Sequence, residues 1–132
     1  MAVGVPLELD WVAKRAACNL AAIYHQLCLE IDNDIIAVNA LRDDKEMHFR
    51  RDSLADGSIV IGQPQRIPRV TVTIGIVDQT ILVRNQAAQE QWSAMVGLSN
   101  ECRCVLRLVQ DKSELETWQF RKKALDALFF VI

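Results

Sequence analysis

What this sequence lacks narrows its roles before any motif is sought. No stretch is both long and apolar enough to cross a bilayer. The longest segment free of charge, Ala16 to Leu29, is broken by Asn19, His25 and Gln26. Basic excess is missing too: 15 Lys and Arg against 17 Asp and Glu leave a net charge of −2. That balance argues against nucleic acid or an anionic membrane held by bulk charge, and neither is expected as a partner. Met1–Asp10 has no basic stretch ahead of an apolar one, so no export signal is expected and the compartment expected is the cytoplasm. Glycine is scarce, five residues scattered at positions 4, 57, 62, 75 and 97, which leaves no loop to cradle a phosphate. G-x-G-x-x-G, H-E-x-x-H and G-x-S-x-G patterns are absent as well. No cofactor or metal is therefore expected, and binding is favoured over catalysis.

What is present is a core. Hydrophobic residues make up 51% of the 132 and charged ones 24%, the balance of one packed domain spanning 1–132. From Leu9 to Leu41 the chain has no internal Gly or Pro and reads as one helix, with Asp10 as a cap behind Pro6. Ala16, Leu20, Ile23, Tyr24, Leu27, Ile31, Ile35, Val38 and Leu41 recur at three- and four-residue spacing and form one apolar stripe. Cys18, Ala21, Ala22, Leu29 and Ile36 fall on the opposite side, which a helix between sheet and water should keep polar. A helix this long would run about 50 Å, against a radius of gyration near ~14 Å for a compact chain. Either it breaks near Asp32-Asn33-Asp34, or it overhangs onto a second copy.

Beyond Glu46 the period shortens to two. Met47–Arg51, Ser58–Gly62, Arg69–Ile76, Thr80–Asn85, Gln91–Leu98 and Glu101–Val109 read as strands, punctuated by Asp56-Gly57, Val77-Asp78-Gln79 and Ser99-Asn100. Such short connections permit only an antiparallel meander of five to six strands. Val70, Val72, Ile74, Ile76, Ile81, Val83, Trp92, Ala94, Val96, Leu98, Cys102, Cys104, Leu106 and Leu108 share the face expected under the helices. The reverse face mixes Leu82, Met95, Val105 and Val109 with Arg84, Arg103 and Arg107. Gly75, inside the best strand, marks a bulge or a close approach of backbone. A last helix over 113–130 is predicted from Ser113-Glu114-Leu115-Glu116, a capping box with Ser113 as cap, and its apolar end Leu128–Ile132 should dock. The fold class is α+β: a long N-terminal helix, the meander and a C-terminal helix.

Four cysteines, Cys18, Cys28, Cys102 and Cys104, are read as reduced core thiols. Ten positions on a helix keep Cys18 from bridging Cys28, and a lone C-x-C lacks the other ligands of a zinc site.

Two constellations stand out. A carboxylate at Asp34, inside the apolar stripe, needs a cation, and Glu30 lies one turn before it. Tyr24, Asp34, Trp92 and Trp118 are the candidate pocket between long helix and sheet, where a small apolar ligand would sit. Cys18, Leu29, Ile36, Leu82, Met95 and Val105 are the candidate interface with a protein partner or a second copy. His25 and Asp32 read as two polar residues beside Leu29 at a subunit contact or in solvent, and the basic runs Arg50-Arg51 and Arg121-Lys122-Lys123 as a solvated face. The function expected is that of a small non-enzymatic binding or accessory protein acting as a homodimer or in a complex. The alternative is a small-molecule-binding protein or a cofactor-free enzyme using the apolar pocket.

Overall fold

The computed structural model describes residues 7–130. Helices α1 (Leu7–Ala17) and α2 (Leu20–Asn39) are followed by a 3-10 turn at Lys45–Met47. Strands β1 (Arg50–Ser53), β2 (Ile59–Gly62), β3 (Thr71–Val77), β4 (Thr80–Asn85), β5 (Glu90–Leu98), β6 (Cys104–Leu108) and β7 (Glu114–Leu115) come next, and α3 (Thr117–Phe129) closes the chain. The strands form one sheet in the order β1-β2-β3-β4-β5-β6-β7, every pair antiparallel. The α+β meander between terminal helices is as the sequence implies, with seven strands in place of five or six. The additional strand, β7, is two residues long and pairs Leu115 with Leu106.

The N-terminal helix departs from expectation. It breaks at Cys18-Asn19, well before Asp32-Asn33-Asp34, and Asp10 lies inside α1 rather than capping it. Asn19 takes an extended conformation, and its Oδ1 accepts the Ala22 N–H at 2.9 Å, so α2 starts with its own cap. Along α2 the stripe of Ile23, Leu27, Ile31, Ile35 and Val38 is buried against β1, β4 and β5. At its far end Asn39 pairs both ways with Phe49, accepting its N–H at 2.8 Å and donating to its carbonyl at 3.0 Å, which fixes where the sheet begins.

One alternation builds the core. Ile59, Ile74, Val83 and Trp92 lie side by side across four strands, and Ile61, Val72 and the buried Asn85 across three. Asn85 is satisfied, donating to the Ala124 carbonyl at 3.1 Å and accepting the Ala88 N–H at 3.0 Å. Phe120, Ala124, Leu125 and Leu128 of α3 close over this layer, and Phe120 meets Trp92 edge-on with centroids 4.9 Å apart.

α3 starts later than the capping pattern suggests. Ser113 is tied to Asp111 through its hydroxyl at 2.6 Å, and Glu114-Leu115 extend the sheet. Glu116 is the cap instead, its N–H donating to Gln119 Oε1 at 2.8 Å. Of the apolar end, Leu128 and Phe129 are buried and Phe130 is exposed, while Val131 and Ile132 lie outside the described residues.

Cysteine is the clearest correction. Cys18 and Cys104, 86 positions apart, are joined in a disulfide with their Cα atoms 5.5 Å apart, so they are not free core thiols. The bond fastens the α1–α2 junction to the first residue of β6. Cys28 stays buried and free as expected, and Cys102, half-buried rather than in the core, stays free in the β5–β6 turn.

Candidate functional site

The C-terminal half of α2 and the length of α3 form an open groove of about 360 Å³. Its floor is Val38, Leu125 and Phe129, all buried; its rims carry Leu41, Trp118, Lys122 and Phe130. Helical spacing explains the membership. Trp118, Lys122, Leu125, Asp126, Phe129 and Phe130 recur every three or four residues, so α3 turns one side to the groove and the stripe of Phe120, Ala124 and Leu128 to the sheet.

Charge sits at one end of this groove. Arg121 Nη1 donates to both carboxylate oxygens of Asp34, at 2.6 and 2.7 Å, and its Nε lies 3.8 Å from Glu30 Oε1. The cation that Asp34 needs thus comes from α3, and the ion pair ties the two helices together. Glu30 Oε1 and Arg121 Nε make no hydrogen bond although both atoms are buried, so their attraction is Coulombic alone. At the other end Arg42 Nη2 caps the Phe129 carbonyl at 2.9 Å while its guanidinium stacks on Phe49 at 5.0 Å, and Phe49 in turn meets Phe129.

The structure separates the four candidate pocket residues. Asp34 and Trp118 line the groove together. Trp92 is in the core, with Lys123 Nζ 5.1 Å above its ring and its indole N–H unpartnered. Tyr24 lies over β2 and β3, its hydroxyl 2.8 Å from the Gly57 carbonyl and 3.0 Å from that of Ile74. Burial, with the neighbouring Cys28, pushes the Tyr24 hydroxyl up to about 12, and burial likewise raises the Cys28 thiol. The apolar space is therefore between two helices rather than between helix and sheet.

The candidate interface residues divide as well. Leu29 and Ile36 face outward from α2, 52% and 68% exposed, and nothing among the described residues covers them. Cys18 is buried in its disulfide. Leu82, Met95 and Val105 are on the reverse face of the sheet, half-buried, exposed and buried respectively. His25 and Asp32 do not act as a pair, because Asp32 accepts Arg51 at 2.7 and 3.1 Å. Among the described residues no three His, Cys, Asp or Glu side chains converge on a metal position.

No protein-family model, curated protein or solved structure matches this chain. Geometry alone must supply the reading.

Sequence reasoning missed Leu41, Ala37, Lys122, Asp126 and Phe130 as groove residues. Leu41 continues the apolar stripe in sequence but is 75% exposed, because α2 ends at Asn39 and the chain turns away. A signal was present on α3: Trp118, Lys122, Asp126 and Phe130 repeat every four residues, a second stripe alongside the core one.

Proposed function

We propose that this chain is a non-enzymatic binding or accessory protein working as a twofold homodimer, with the α2–α3 face as its contact surface. The observation that carries the reading is the self-complementary order of groups along α3. Trp118 and Phe130, 53% and 59% exposed, stand at its two ends, and Lys122 and Asp126 lie between them. In an antiparallel pair of α3 helices crossing at the height of Ala124, Trp118 of one copy meets Phe130 of the other and Lys122 meets Asp126. That is the reciprocal pattern an isologous contact requires. Among the described residues neither Lys122 nor Asp126 has an ion-pair partner within the chain. Asp34, at one end of the groove, is committed to Arg121, and in the dimer Lys122 and Asp126 are committed to each other across the twofold, which favours binding over catalysis.

Sedimentation across a wide dilution series tests the reading. Lys122→Asp and Asp126→Lys should each weaken association by on the order of tenfold or more, since each sets like charges face to face twice. Combining the two reversals should restore it. A monomer at every concentration, or a dimer indifferent to both reversals, would remove the reading.

The groove's volume, within the range of about 300–1,000 Å³ usual for ligand sites, supports a second reading, a small apolar ligand held by the monomer. Saturable one-to-one binding of a hydrophobic fluorescent probe, lost in Trp118→Ala, would favour it. The compartment proposed is the cytoplasm. Disulfides there are mostly transient or redox-active, so the proposal requires Cys18–Cys104 to be a bond that can exchange.

A further inference from the structure

Three of the four sulfurs gather at one place. Cys18 and Cys104 of the disulfide and the free Cys102 line a single depression of about 300 Å³ with Lys14, Gln26 and Leu98. Cys28, buried on the inner side of α2, does not line it.

The free thiol is held there at a local cost. Ser99 and Arg103 close the β5–β6 turn, with Ser99 N–H donating to the Arg103 carbonyl at 2.8 Å and Cys102 N–H donating to the Ser99 carbonyl at 3.0 Å. The Ser99 hydroxyl accepts the backbone N–H groups of Glu101 and Arg103, each at 3.2 Å. This turn forces Cys102 to a φ of +58°, the left-handed region that glycine or asparagine occupies most easily. A cysteine at that position forgoes roughly 1 kcal/mol of backbone ease, as Gln79, Gln89 and Lys112 do in other turns; what sets Cys102 apart is that it is half-buried and shares its depression with a disulfide. Lys14 lines the same depression, its Nζ 3.8 Å from Asp10.

We propose that Cys102 is an exchange thiol for the Cys18–Cys104 bond, so that Cys18 is held by either of two sulfurs on the β5–β6 hairpin. The Cys102 thiol gives its proton to solvent, and the resulting thiolate attacks Cys18 Sγ. A Cys102–Cys18 bond forms as the Cys18–Cys104 bond breaks, and Cys104 leaves as a thiolate that takes up a proton from water. One disulfide and one thiol are present before and after, so no external oxidant or reductant is needed. The α1–α2 junction stays fastened to the hairpin in both states, but two residues apart along it. Displacement at Cys18 is the productive direction because it keeps that long-range link, whereas attack at Cys104 would join two residues of one hairpin and unlink the α1–α2 junction from it.

Disulfide mapping by mass spectrometry tests this on the full chain. The oxidised protein is incubated at mildly alkaline pH, quenched in acid and alkylated. A peptide pair linking Cys18 to Cys102, with Cys104 alkylated, is expected beside the Cys18–Cys104 pair, and Cys102→Ser should lose that second species entirely. In a glutathione buffer poised to form disulfides, Cys104→Ser should yield a Cys18–Cys102 bond. Near-ultraviolet circular dichroism of each variant reports whether it is folded. A folded Cys104→Ser protein that leaves Cys18 and Cys102 as two thiols would overturn the proposal. So would a wild-type protein in which only Cys18–Cys104 is recovered after prolonged incubation.

Discussion

Neighbouring residues along β3, β4 and β5 meet two different environments. Ile74, Val83 and Trp92 line up beneath the helices and are at most 4% exposed; one position along, Thr73 and Arg84 pair on a face that no helix covers among the described residues. That open face also holds apolar side chains, Leu82 and Met95, yet they are interleaved with Arg84, Arg107 and Glu114, the last two paired at 3.3 Å. The exposed apolar groups of the α2–α3 side differ in grouping. Leu41, Trp118 and Phe130 surround one groove. Exposure alone therefore does not distinguish a contact surface from a solvated one. Contiguity does, because scattered apolar groups are ordinary on monomers, whereas a continuous patch marks a place of contact.

The largest effect expected lies in the covered layer. Phe120 is fully buried and meets the edge of Trp92, so Phe120→Ala removes a ring from the point where α3 seats on the sheet. A loss of about 3–5 kcal/mol is expected by chemical denaturation. A loss below ~1 kcal/mol would mean that α3 contributes little to the core and that the groove it walls is not a fixed surface.

An intermediate effect separates two glycines of the open face. A Cβ on Gly75 would lie 2.8 Å from the Cβ of Ser58, while one on Gly97 meets nothing within 4 Å. Gly75→Ala should cost about 1–3 kcal/mol by overpacking, and Gly97→Ala should be neutral or stabilise by a few tenths. Thermal melts of the two variants side by side give the comparison directly. Equal behaviour would show that β2 can move away from β3 at Ser58.

Gly75 also shows what the sequence could convey. A glycine amid Val, Thr and Ile in a strand signals close approach, although the neighbour, Ser58, could be known only once the strands were in register. Period-two alternation assigned Val72, Ile74, Ile81, Val83 and Ala94 to the core because a strand turns its sides by geometry alone. Long-range partners were not legible. The helix break at Asn19 accompanies a disulfide to a residue 86 positions away, and Asp34 meets its cation 87 positions along the chain. The Ser113 capping pattern failed for a local reason: Ser113 bonds back to Asp111, leaving Glu116 and Gln119 to start the helix. Trp118 sits near the buried stripe in helical projection, but it falls in the first turn, where α3 has not yet come down onto the sheet, and its indole N–H reaches Glu116 at 2.9 Å.

The smallest effect bears hardest on the contrast between the two exposed surfaces. Met95 is 53% exposed, the same as Trp118, so a reading based on exposure alone treats them alike. Met95 stands opposite Arg107 on the open sheet face, with charge beside it and outside the α2–α3 groove, and Met95→Ser should change stability by less than ~0.5 kcal/mol. It should also leave sedimentation unchanged, whereas Trp118→Ser should shift the protein toward monomer at matched concentration. If Met95→Ser dissociated the protein and Trp118→Ser did not, the contact surface would be the sheet. The order of charges along α3 would then reflect solvation rather than pairing between copies.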